Sequence, residues 1–73
     1  METPQDINSF EFLESEVAKY EKSDKSDAKK SMDSGNWLRW AITGRAKLTQ
    51  TQASELCDRV IAVQSSILPY LSQ

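Results

Sequence analysis

A chain of 73 residues has room for one domain at most, and a domain this small withdraws only about 60% of its unfolded surface from water. One cysteine and no histidine exclude an internal disulfide and the commonest transition-metal ligand, so self-association or partner binding is left to supplement a small core. The net charge of −2 hides an uneven distribution. Residues 1–35 hold nine acidic and five basic side chains, net −4, whereas residues 36–73 hold two acidic (Glu55, Asp58) and four basic (Arg39, Arg45, Lys47, Arg59), net +2. Such halves attract each other weakly, within a chain or between chains, and salt screens the attraction.

The first element has a marked start. Asn8 and Glu11 stand at capping-box spacing, and Ile7 and Phe12 then fall at the two staple positions around that cap. Phe10, Leu13, Val17 and Tyr20 recur at helical spacing and form a stripe about 80° wide, while Glu11, Glu14, Glu16, Lys19 and Lys22 solvate the rest. These signals predict helix 1 over about 9–23. The staple gives Phe12, which projects away from the stripe, a structural reason to be there; otherwise it is an exposed aromatic.

The segment "KSDKSDAKKSMDSGN" follows, and Met32 is its only apolar side chain larger than alanine. A stretch that buries so little does not offset its ordering entropy, so residues 23–34 are expected to be a flexible, solvated linker or a frayed helical extension, with phosphorylation of its serines as an unspecific functional reading. Asp33 or Ser34 is then the candidate cap for the next helix. "GNWLRWAITG" begins helix 2, expected over about 35–47. Trp37, Leu38, Trp40, Ala41 and Ile42, with Leu48, spread over an arc of about 200°, and a helix that apolar must be covered on more than one side. Gly44 is expected either to end it or to admit a close neighbour.

Helix 3 is predicted over about 50–68. Thr49 and Gln52 have capping-box spacing, Leu48 and Ala53 take the staple positions, and an apolar arc of about 160° runs from Ala53 to Leu68. Pro69 is expected to stop or kink it, leaving Tyr70 and Leu71 on a short tail. Gln64 projects into the middle of that arc. It either reaches a backbone group or fixes the register of a symmetric helix pair, as one polar core residue does in coiled coils.

The fold class expected is therefore all-α: one small domain of three helices that self-associates. No residue set suggests catalysis, a metal, a cofactor or a small-molecule substrate. Cys57 lies within an apolar arc, where burial makes a thiol inert, and two glycines make no phosphate-binding loop. The N-terminus lacks the apolar core of a signal peptide, no run approaches the roughly 20 apolar residues of a membrane span, and a lone thiol suits the cytoplasm.

"KLTQTQASELCDRV" resembles the opening of helix-turn-helix regulators, which implies a small DNA-binding transcriptional regulator as the alternative class. The spacing departs from that pattern. The turn glycine would be Cys57, Pro69 would fall inside the recognition helix, and the apolar periodicity runs unbroken from Ala53 to Leu68. Four cations in the second half are also few for a phosphate-binding surface. The leading expectation is a non-enzymatic protein–protein interaction module, an adaptor, inhibitor or assembly factor. Its partner is another protein or a second copy in a homodimer, with no nucleic acid and no membrane. Its contact residues are expected on the Trp-containing helix (Trp37, Leu38, Trp40, Ile42) and along the C-terminal helix and tail (Gln64, Ile67, Tyr70, Leu71), the other reading of Trp37 and Trp40 being that they are simply core.

Overall fold

The computed structural model describes residues 9–44 and 47–71. They form three helices and no strand: α1 (Phe10–Lys22), α2 (Ala28–Gly44) and α3 (Gln50–Leu71). The all-α, three-helix arrangement expected from the sequence is the one found.

α1 starts one residue later than the Asn8–Glu11 signal suggested. Ser9 is the cap: its hydroxyl oxygen accepts the Phe12 amide at 3.2 Å, and its carbonyl accepts the Leu13 amide. Ile7 and Asn8, the other half of the expected staple and box, lie outside the described residues. Phe12 is half-buried and packs on the core, so it is no free aromatic. The helix ends at Ser23, whose amide and hydroxyl both donate to the Tyr20 carbonyl, while the Lys25 ammonium donates to the carbonyls of Glu21 and Ser23. These donors satisfy carbonyls that a helix C-terminus leaves without internal partners.

The expected flexible linker over 23–34 is a correction. Only residues 23–27 lie outside the helices there, and they are tied by side chains: Asp24 accepts the Ser26 amide, and Asp27 accepts the Lys30 amide. Asp27, not Asp33 or Ser34, therefore caps α2, which begins seven residues earlier than the apolar run suggested. The physical reason is the packing of small residues. Ala28, Ser31, Gly35, Leu38 and Ile42 recur at 3-4-3-4 spacing, and of these Ser31, Gly35, Leu38 and Ile42 are buried. A small residue lets backbones approach closely, so burial here proceeds without large side chains.

α3 starts as expected. The Thr49 hydroxyl accepts the Gln52 amide and the Gln52 side-chain oxygen accepts the Thr49 amide, both at 3.1 Å, which completes the capping box. Pro69 does not end the helix; α3 continues through it to Leu71. A proline removes one backbone donor, and Ser65, whose carbonyl loses it, lies with Pro69 on the exposed side where water can take its place. The Cys57 region holds no turn, so the break that a helix-turn-helix unit needs is not present in α3.

The core joins all three helices. Leu13 and Val17 from α1, Ile42 from α2, and Leu56 and Val60 from α3 are its largest fully buried side chains. Burying each stabilises the fold by about 1.5–3 kcal/mol of transfer free energy. α3 runs back along α2 and shares its most extensive contact with it, as the bonds from Gln64 to Met32 and Asn36 also show. On the surface, Arg59 of α3 grips Glu21 with two hydrogen bonds, at 2.7 and 3.2 Å, and lies 3.9 Å from Glu14. Arg59 thus realises the attraction between the acidic and basic halves within the chain, between α1 and α3.

Candidate interaction surface

Two sites organise α2, one on its inner side and one on its outer side. The inner site is a polar knot around Gly35. The Tyr20 hydroxyl donates to the Ser31 carbonyl at 2.7 Å. Gln64 donates its amide hydrogens to the Met32 carbonyl (3.1 Å) and to Asn36 Oδ1 (2.9 Å), and its oxygen accepts from the Arg39 guanidinium at 3.3 Å. These partners also fix which way the amide points, because a carbonyl must meet its NH₂ and a guanidinium its oxygen. A Cβ at Gly35 would lie 2.6 Å from both the Tyr20 hydroxyl and Gln64 Nε2, so only glycine lets α1 and α3 converge here. Burial raises the pKa of Tyr20 above that of a free phenol.

Gln64 therefore does what the simpler expectation said: it reaches a backbone group. Only 5% exposed, with its polar atoms engaged inside the chain, it sets the register of α3 on α2. Among the other residues expected at an interface, Leu38, Ile42 and Ile67 are also buried within the chain. They hold the bundle and present no surface to a partner.

The outer site is different. Trp37 and Trp40 are 52% and 54% exposed, on the side of α2 turned away from the core. The inner stripe satisfies the bundle by itself, so the expected arc of about 200° divides into a buried half and an exposed half. Trp37 also forms one wall of a groove of about 350 Å³ against Glu16, Lys19 and Tyr20 of α1. On its other side lies a depression of about 420 Å³ formed with Asp27, Lys29, Lys30, Asp33 and Ser34. At the end of α3, Tyr70 and Leu71 are exposed, as are Ile61 and Leu68 farther back. Ile61 and Leu68 both belong to the apolar arc of about 160° predicted for helix 3. An arc that wide exceeds what the short α1 and the slender half of α2 cover, so its edge stays in water.

No known protein family matches the sequence, and no curated protein or solved structure is significantly similar to it.

Among the described residues no three His, Cys, Asp or Glu side chains gather where a metal ion could sit. Cys57 is half-buried against the core, and that burial pushes its thiol pKa up, against a smaller opposing pull from Arg39. No helix among the described residues is long and apolar enough to cross a membrane. Among the described residues, the outer face of α2 presents the two largest exposed apolar side chains, Trp37 and Trp40. Sequence reasoning found its two tryptophans but missed Lys30 and Asp33 beside them, because residues 28–34 were read as a linker. The missed signal was the 3-4 spacing of Ala28, Ser31 and Gly35.

Proposed function

We propose that this chain is a non-enzymatic helical interaction module of the cytoplasm whose contact surface is the outer face of α2, anchored by Trp37 and Trp40. The observation that carries this reading is the exposure of both indoles on a helix whose opposite side already closes the core. Tryptophan is among the residues most enriched at energetic centres of protein interfaces, because a large rigid surface is desolvated at low entropic cost. A small domain that leaves two of them half in water gains from covering them. Tyr70 and Leu71, exposed at the end of α3, offer a secondary contact.

Retention experiments test the assignment. The intact chain and its Trp37→Ala/Trp40→Ala variant are immobilised and challenged with extract from the native source. The assignment expects proteins, or further copies of the chain itself, that the parent retains and the variant loses. Identical retention by both would contradict it, and salt-sensitive retention of duplex DNA by both would point to the nucleic-acid class instead.

A further inference from the structure

We propose that the outer face of α2 pairs antiparallel with the same face of a second copy of this chain, in the register where facing residue numbers sum to 70. The proposal rests on the assignment of Trp37 and Trp40 as contact anchors and adds the identity of what they contact. Lys30, Asp33, Trp37, Trp40 and Gly44 are all exposed and recur at 3-4-3-4 spacing. That spacing makes a continuous seam along one side of a helix and is the pattern by which two helices pack lengthwise. Among the described residues, a side chain at Gly44 would meet the indole of Trp40 at 3.8–4.0 Å, ordinary contact distance.

Charge selects among the ways of closing this seam. Parallel pairing stacks Lys30 on Lys30 and Asp33 on Asp33, like on like. An antiparallel register summing to 77 stacks Trp37 on Trp40 but overlaps only residues 33–44 of α2 and leaves Lys30 beyond the paired helices. The register summing to 70 overlaps residues 28–42, about 22 Å of helix. It sets Lys30 against Trp40 of the second copy, an ammonium over an indole face, and Asp33 against Trp37, a carboxylate near an indole N–H. The shape agrees independently. In this register the second copy's tryptophans descend onto Lys30 and Asp33, which line the depression of about 420 Å³ beside Trp37.

The area sets the strength. Roughly half of each indole is exposed. Against about 150–250 Å² for a whole aromatic side chain, the two together offer about 200 Å² per copy. A standard stable interface takes about 800 Å² from each partner, so the pair is weak and forms with a dissociation constant in the micromolar range or above.

Light scattering behind a sizing column, over about a hundredfold range of concentration, tests the pairing on the full chain. The expected result is a monomer–dimer equilibrium in which Trp40→Ala raises the dissociation constant at least tenfold and Lys30→Glu raises it several-fold. Both variants should keep the parent's helical signal. Spin labels on a Cys57→Ser background then report the register. Symmetric labels at Lys29→Cys should be offset by about 18 Å along the helix and those at Thr43→Cys by about 24 Å. The register summing to 77 reverses that order, and parallel pairing makes the two equal; either result overturns the proposal. A chain that stays monomeric but captures a different protein through Trp37 and Trp40 overturns the pairing alone. A monomer with no tryptophan-dependent capture removes the underlying assignment as well.

Discussion

α2 carries two stripes with the same 3-4-3-4 spacing and opposite fates. The inner one, Ala28, Ser31, Gly35, Leu38 and Ile42, faces the other helices; the outer one, Lys30, Asp33, Trp37, Trp40 and Gly44, faces water. By hydrophobicity alone the outer stripe has the stronger claim to the core, since it holds the two largest apolar side chains in the protein. The inner stripe wins because close approach counts along with side-chain size. With glycine and serine at its centre, α2 comes near enough to α1 and α3 for Tyr20 and Gln64 to bond its backbone. Interior packing near crystal density leaves no room there for an indole.

The comparison can be broken from the inside first. Leu56 is fully buried where α3 meets the core, and Leu56→Ala should cost about 3 kcal/mol, measured by denaturant unfolding. Gly35→Ala puts a methyl group 2.6 Å from two polar atoms. It should cost about 1–3 kcal/mol by overpacking, only partly offset by the roughly 1 kcal/mol that alanine gains over glycine in a helix. Adding Tyr20→Phe removes one of the two clashing atoms, so the double variant should lose less than the sum of the single losses. Equal additive losses would mean that α1 and α2 do not approach at Gly35 as described.

The outer surface gives smaller effects. Arg59→Ala should cost about 0.2–1 kcal/mol, and less as salt is added, because the Glu21–Arg59 pair is solvent-exposed. Hydrogen bonding to Arg59 holds the Glu21 carboxyl below its ordinary pKa. Its contribution is therefore present above the unfolded-state value and is lost as pH falls through the lower folded-state value. A pH series of unfolding midpoints should show the parent losing this increment in acid while Arg59→Ala does not.

How much of this was legible in the sequence follows from the same two stripes. α3 announced itself through Thr49 and Gln52 at its start and through large apolar residues at helical spacing, so its start and buried face were readable. Its end was not, because a proline on an exposed side interrupts a hydrogen bond that water can replace. α1 was readable to within a residue, since Ser9 and Asn8 are both good caps and only geometry chooses between them. The first two turns of α2 were illegible to a search for apolar bulk, because Ala28, Ser31 and Gly35 contribute by being small. Of the residues the sequence grouped as one contact surface, Trp37 and Trp40 are exposed while Leu38, Ile42, Gln64 and Ile67 are buried, because a one-dimensional pattern does not say which half of a wide arc turns inward.

The most direct test of that division is the stability of Trp37→Ala/Trp40→Ala, measured by denaturant unfolding at a dilution where association is absent. The two tryptophans are predicted to cost less together than Leu56→Ala costs alone, with an unchanged denaturant slope. A loss larger than that of Leu56→Ala would place the indoles inside the core and contradict the account of α2.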